Sequence, residues 1–280
     1  MKEIYRHFNG PAGVEKAENP RQKKGGIVDH TVLLLTATIN SNNMPGAISP
    51  PPRRLSDYAR AFSFYVRNFP RINKIVFAEN SGWPLDVVRE AGLDNPHRKK
   101  LEFLSMDENS YPREFGKGFG EHNLICAALE HSGLISKSRY VAKMTGRIFL
   151  SNMLTILDKI APLVDISCDF RDHPFYELLK LPFCGRYCDT RFFVFRPDFF
   201  REHLQGLATY HKHGNFGLEA SYYRVLKPLE DSGTVRCRFP VEPMFRGLAG
   251  HGNKNYSGAK EVAKQTVRGI SRLFFPGLRI

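Results

Sequence analysis

The sequence predicts an α/β protein built on a twisted, mostly parallel sheet flanked by helices, and three observations carry that prediction. Strand-length apolar runs alternate with helical periodicity through the first half of the chain, the signature of βαβ units. The first run, Val32-Leu33-Leu34-Leu35-Thr36-Ala37-Thr38-Ile39, is apolar without alternation, as in a strand buried on both faces. The 280 residues are 42% hydrophobic and 25% charged, enough to bury a large core and too apolar for a disordered chain.

The elements follow in order. Residues 1–28 carry Gly, Pro and the cluster Arg21-Gln22-Lys23-Lys24 and read as a polar lead-in. A regular first half is expected over residues 29–160. After the first strand, Pro50-Pro51-Pro52 stiffens a loop, and Leu55, Tyr58, Ala59, Phe62, Tyr65 and Val66 then recur at helical spacing. Ile75-Val76-Phe77-Ala78 is the second strand, residues 85–91 a short helix, and Leu101-Glu102-Phe103-Leu104 the third strand. Residues 121–131 form a helix, and Tyr140-Val141-Ala142-Lys143 the fourth strand. Residues 161–256 are less regular, with strands over 165–168, 191–195 and 235–239 and a helix over 216–226. Residues 257–280 hold an amphipathic helix, about 258–274.

The charge balance, 41 basic against 28 acidic residues, gives +13 and favours an anionic partner: a phosphate ligand, nucleic acid or an acidic membrane. No RNP, helix-turn-helix or zinc-finger signature is present, so nucleic acid is not expected. Five scattered cysteines lack a CxxC pair and read as buried free thiols. The first residues lack an apolar signal core, and the longest apolar run is too short to span a bilayer. A cytoplasmic location is expected, with attachment to the inner face of a membrane as an option.

Four motifs fall near the ends of strands or the start of a helix, where α/β proteins bind ligands. Thr36-Ala37-Thr38-Ile39-Asn40 ends the first strand, with a Thr-rich turn as its bland reading. Glu79-Asn80-Ser81-Gly82 ends the second, and Asn80 or Ser81 alternatively caps the next helix. Gly116-Lys117-Gly118-Phe119-Gly120-Glu121 lacks the dinucleotide spacing, but its glycines suit either exposed backbone N–H groups on a phosphate or a flexible turn. Lys143-Met144-Thr145-Gly146-Arg147 ends the fourth strand. There a buried Lys needs an anionic partner, either a diphosphate also forked by Arg147 or a structural pairing with Glu121, Asp169 or Asp172.

In this order the four motifs resemble those of bacterial surface-polysaccharide glycosyltransferases with a GT-A-like, Rossmann-like fold, over about residues 31–255. The resemblance implies a nucleotide-sugar donor at the carboxyl edge of the sheet and a glycan or lipid-linked acceptor bound by the irregular second half. Donor contacts are then expected from Thr36, Thr38, Asn40, Asn80, Ser81, Gly82, Lys117, Gly118, Glu121, Lys143, Thr145, Gly146 and Arg147. Many such enzymes carry Asp-x-Asp after the fourth strand to bind Mn²⁺ or Mg²⁺. This chain has Lys143 to Arg147 there, so cationic side chains are expected to neutralise the leaving diphosphate, and no metal ligand is assigned.

Glu219 opens an apolar helix where inverting GT-A-like enzymes place their base. It is either that base or a carboxylate stabilised by the helix dipole. Asp189-Thr190-Arg191 precedes a very apolar strand and is expected to shape the acceptor side of the cleft, with Asp189 the second catalytic candidate. Asp169-x-x-Asp172 beside His173 is an alternative cation site, though a solvated loop suits it better. Arg246, His251 and Lys254 sit in a Gly-rich loop that is either a lid over the diphosphate or a connector. Nine basic and two acidic residues lie between Arg236 and Ile280. In the last helix, Lys260, Lys264, Arg268 and Arg272 make one stripe and Ala263, Val267, Ile270 and Phe274 another. That pattern suits an anionic membrane surface or simple docking with a solvated outer face. The rival functions are a basic nucleic-acid-binding module and a non-catalytic membrane adaptor.

Overall fold

Residues 31–37 form the buried central strand β1 (Thr31–Ala37) in a computed structural model of the chain. The structure describes residues 26–41, 49–172, 186–207, 217–247, 256–275 and 277–279. Ten further strands follow: β2 (Lys74–Glu79), β3 (Lys100–Ser105), β4 (Tyr140–Thr145), β5 (Ile148–Leu150), β6 (Ile166–Ser167), β7 (Phe170–Asp172), β8 (Arg186–Cys188), β9 (Phe192–Phe195), β10 (Val235–Arg236) and β11 (Phe245–Gly247). Seven of these eleven strands, β1 included, make one sheet in the order β10-β6-β9-β4-β1-β2-β3. The β4-β1-β2-β3 portion is parallel throughout, and β9 runs antiparallel to both β4 and β6. This is the mostly parallel, helix-flanked sheet expected from the alternation, and strands from both halves of the chain share it. Two antiparallel pairs stand apart, β5 with β11 and β7 with β8.

Strand parity sorts the core into two layers. Leu33, Leu35 and Phe77 face α1 (Pro51–Arg67), where Tyr58, Phe62 and Tyr65 pack; the Phe62 and Phe77 rings meet edge-on at 5.6 Å. Val32, Leu34, Val76 and Val141 face the opposite layer. That layer holds α3 (Gly116–His131), with Leu124 and Ala128, and a later helix with Leu218 and Tyr222. Between α1 and α3 lies the short α2 (Asp86–Ala91), and α3 is followed by α4 (Gly133–Ser136) and α5 (Met153–Lys159). The remaining α-helices among the described residues are α6 (Pro197–His203), α7 (Leu218–Leu226) and α8 (Ala259–Phe274).

Two local expectations change. Pro51 and Pro52 occupy the first turn of α1, where a missing N–H costs nothing, so the proline tract starts the helix instead of stiffening a loop ahead of it. The Gly116 to Gly120 segment is not a turn before a helix but the first turns of α3 itself. Cys168, Cys188 and Cys237 are buried free thiols and Cys126 is partly buried, while Cys184 lies outside the described residues. Among the described residues no helix is long and apolar enough to cross a membrane.

Candidate functional site

β1 and β4 are neighbours in register, Thr36 opposite Thr145, so both strands end at the same sheet edge. A cavity of about 280 Å³ opens there. Thr36, Thr38 and Thr145 form its sheet side, and Lys117, Gly118 and Glu121 reach it from the first turns of α3. Arg54 and Tyr58 come from α1, Asn109 and Tyr111 from the loop after β3, Thr190 and Arg191 from the lead into β9, and Glu219 from α7. Seven of the sequence-predicted residues thus meet at one cavity: Thr36, Thr38, Lys117, Gly118, Glu121, Thr145 and Glu219.

Three cationic side chains line it. Arg54 is anchored by donating to the Thr38 carbonyl oxygen from Nε at 2.8 Å and Nη2 at 2.5 Å. Burial, assisted by the Arg54 charge, pushes the Lys117 ammonium below its ordinary pKa. Arg191 donates from Nε to Asp189 Oδ1 at 2.8 Å and from Nη2 to Oδ2, the bidentate fork a carboxylate favours. Its guanidinium lies 4.1 Å from the Phe245 ring centroid and 4.9 Å from that of Tyr256. Burial alone would lower the Arg191 pKa, but the Asp189 carboxylate raises it, so the charge is secure.

Lys143 is fully buried on the α3 side of β4, the side its parity with Val141 dictates. Its Nζ donates to Glu121 Oε1 at 2.5 Å and to the Thr190 carbonyl oxygen at 2.6 Å, with Thr145 Oγ1 at 3.3 Å. Thr36 Oγ1 donates to the same Glu121 oxygen at 3.0 Å. Of the two readings open for Lys143, the Glu121 pairing is the one the fold makes.

Arg147 lies past the end of β4, where strand parity no longer holds, and turns to the α1 side. There its Nη2 meets Asp57 Oδ2 at 2.5 Å, and the whole side chain is buried away from the cavity. Gly146 clears no space for a ligand. A Cβ there would lie 2.8 Å from the Thr36 carbonyl oxygen, so the glycine permits close approach of β1. Gly118 serves a similar end: its Cβ would lie 2.6 Å from Leu218 Cβ, where α3 meets α7.

The Glu-Asn-Ser-Gly motif is a clasp between the loops after β1 and β2. Buried Glu79 accepts from the backbone N–H of Ile39 at 2.9 Å, of Ser81 at 2.9 Å and of Trp83 at 3.2 Å. Thr38 Oγ1 donates to Asn80 Oδ1 at 2.7 Å, and the Asn40 N–H donates to Ser81 Oγ at 3.0 Å. Gly82 takes a φ of +64°, the left-handed region that glycine tolerates. Neither Asn80 nor Ser81 caps α2, which has no side-chain cap. Asn40, Asn80, Ser81 and Gly82 therefore shape the cavity wall from behind it.

The two catalytic candidates differ in electrostatics. Glu219 is open to solvent at the cavity edge yet has protein on most sides. That crowding raises its carboxyl above the ordinary range, the Glu121 and Asp189 charges add to the rise, and Lys143 opposes it. Burial would also raise Asp189, but the charge and hydrogen bonds of Arg191, with Arg171 beyond, hold it well below the usual carboxylate range. Asp189 is thus a poor proton acceptor that orients Arg191.

The alternative cation site does not form. Asp169 is buried between Arg171 at 2.9 Å and Arg272 at 2.6 Å, and Asp172 pairs with Arg186 at 3.2 Å; His173 lies outside the described residues. Among the described residues no group of three His, Cys, Asp or Glu side chains is arranged to hold a metal ion. Among the described residues two carboxylates line the cavity, Glu121, engaged by Lys143, and Glu219, so the donor set present does not fit Mn²⁺ or Mg²⁺.

Arg246 sits in β11 opposite Phe149 and lines a separate groove with Arg53 and Arg60, while His251 and Lys254 lie outside the described residues. Sequence reasoning missed Arg54 as a cavity residue, although an Arg in the first turn of the helix after the first strand was a signal for it, and it set Arg191 on the acceptor side of the cleft and not among the phosphate-binding cations.

No protein-family model matches the chain, and no curated protein matches it in sequence. Among solved structures, the chain is similar to core-mannan synthase A from Aspergillus fumigatus in a Mn/GDP form, at 9% identity over 82% of this chain and 77% of that one, with a TM-score of 0.44. It is also similar to the mannosyltransferase Ktr4p from S. cerevisiae in complex with GDP, at 10% identity, 86% and 76% coverage and a TM-score of 0.45. A putative glucose-1-phosphate thymidylyltransferase from Bacillus anthracis matches at 10% identity, 85% and 94% coverage and the same TM-score of 0.45. The likeness is one of chain architecture.

Proposed function

We propose that the chain is a GT-A-like glycosyltransferase that moves a sugar from a nucleoside-diphosphate or CMP donor to a hydroxyl of a polysaccharide or lipid-linked oligosaccharide. The observation that carries this reading is the cavity at the carboxyl edge of β1 and β4, where Arg54, Lys117 and Arg191 face a carboxylate with a raised pKa. The N-terminal end of α3 adds the positive end of a helix dipole, a setting suited to phosphate.

In this reading Arg191 and Lys117 hold the phosphates. Arg54, tied to the Thr38 carbonyl oxygen, fixes the wall on the nucleoside side. Glu219 accepts the proton of the acceptor hydroxyl as its oxygen bonds to the anomeric carbon. The bond from that carbon to the phosphate oxygen breaks, and the electron pair leaves with the nucleotide, whose charge the cations balance. A raised carboxyl pKa brings the base closer to neutral pH, where proton transfer from a hydroxyl is more favourable. Buried Lys143 supports the site by holding Glu121 and the Thr190 carbonyl.

The test is a thermal-shift panel of UDP-, GDP- and CMP-sugars against the full chain and Arg191→Ala. A donor that binds only the folded state raises the unfolding midpoint. A shift seen with the parent protein and lost in the variant supports the assignment. Absence of a shift with every donor overturns it, as does steeply salt-dependent RNA binding in its place.

A further inference from the structure

We propose that the outward face of α8 docks the protein on an anionic lipid surface through its apolar stripe. A surface helix ordinarily buries its apolar stripe; α8 leaves its stripe exposed and turns polar side chains inward. Val267, Ile270, Leu273 and Phe274, with Phe275 just beyond, are between 50% and 78% exposed, whereas Gln265 and Ser271 are buried.

The orientation is locked by partners far away in sequence. Arg272 donates from Nη2 to Asp169 Oδ2 at 2.6 Å, from Nε to Glu242 Oε2 at 2.7 Å and from Nη1 to the Phe239 carbonyl oxygen at 2.9 Å. Gln265 Nε2 donates to the Phe245 carbonyl oxygen at 3.1 Å. Turning the apolar stripe inward would strand Asp169 and Glu242, both buried, beside Arg171 alone. The helix therefore keeps its apolar stripe in contact with whatever lies outside the protein.

Charge selects the occupant. Lys260 and Lys264 are exposed on the side of the helix that carries Val267 and Phe274. Residues 259–280 hold five basic side chains and one acidic, in a chain of net charge +13. A second copy would bring two such basic faces together. An anionic bilayer instead accepts aliphatic and phenyl groups below its headgroups and lysines among its phosphates, the arrangement of an interfacial helix. This inference stands independently of the donor reading.

The experiment is co-sedimentation of the full chain with phosphatidylcholine vesicles, with and without phosphatidylglycerol, at low and high salt. The parent protein is expected to pellet with the anionic vesicles. The Ile270→Asp/Phe274→Asp variant, altered only at exposed positions, is expected to lose about tenfold or more in partitioning. Lys260→Ala/Lys264→Ala is expected to lose about tenfold at low salt and little at high salt. Donor thermal shifts, where the parent gives them, and unfolding midpoints stay at parent values in both variants, which separates failure here from failure of the donor reading. Equal pelleting of the parent and the Asp variant overturns the proposal. So does equal pelleting on neutral vesicles, no pelleting at all, or a parent dimer that the Asp variant converts to monomer without vesicle binding.

Discussion

Lys143 and Glu121 act as one unit beneath the cavity, the ammonium 2.5 Å from Glu121 Oε1. The pair joins β4 to α3, and the hydroxyls of Thr36 and Thr145 reach the same carboxylate oxygen. Breaking it from the lysine side leaves a carboxylate whose side chain is only 26% exposed. Lys143→Ala is therefore expected to lower unfolding stability by about 2–3 kcal/mol, below the range for a fully buried pair because water reaches Glu121. Urea denaturation of Lys143→Ala, Glu121→Gln and the double variant checks it. Strict additivity would show that the two side chains do not interact.

Arg147 is expected to behave as a structural residue. Asp57 is nearly as buried as Arg147 and would keep only the longer contacts to Arg60 at 3.5 Å and Arg53 at 3.8 Å, so Arg147→Ala is expected to cost about 3 kcal/mol, the low end for breaking a buried pair. Donor affinity of the folded variant, measured by calorimetry below its unfolding midpoint, is expected to stay at the parent value. A loss of affinity at full occupancy of the folded state would return Arg147 to the donor site.

In the proposed reading Arg191 takes the role that the motif suggested for Arg147. Arg191→Ala is expected to weaken donor binding by about 1.5–3 kcal/mol, the scale of a charge-assisted hydrogen bond. Arg191→Lys keeps the charge but not the fork on Asp189, so it is expected to recover only part of that loss. With cations placed where a metal is usual, transfer is expected to persist in EDTA. Abolition by chelation with restoration by Mn²⁺ would mean that carboxylates other than those engaged here hold an ion.

Glu219→Gln is expected to preserve donor affinity while lowering kcat by roughly 10² to 10⁴, as for loss of a general base. In the parent protein the acidic limb of the kcat profile is expected above the ordinary glutamate range, because the protein crowded around this carboxyl raises its pKa. The same shift sets the sign for stability. A carboxyl whose pKa is raised on folding binds its proton more tightly in the folded state. Its contribution is present below the unfolded pKa and lost as pH rises through the folded one. Glu219→Gln is thus expected to raise the thermal midpoint at neutral pH and to leave it near the parent value below about pH 4. A midpoint difference independent of pH, with kcat unchanged, would remove Glu219 from the mechanism.

The sequence by itself determined the sheet and its order of motifs. An apolar run without alternation has to be buried on both faces, and alternation of strands with helices forces parallel pairing, so β1 to β4 and their shared carboxyl edge follow from local periodicity. Parity within β4 likewise places Lys143 on the α3 side, although nothing local says whether its partner is Glu121 or a ligand. Only the tertiary structure decided which cations face the cavity. Arg147 lies beyond the last residue of β4, where alternation no longer constrains direction, and Asp57, 90 residues away in sequence, captures it. Arg191 faces the cavity because Asp189, Phe245 and Tyr256 hold it there. The facing of α8 was equally out of local reach. Its periodicity defines two stripes without saying which is inward, and the choice is made by Asp169, 103 residues from Arg272, because leaving buried Asp169 and Glu242 to share Arg171 costs more than an apolar stripe left exposed.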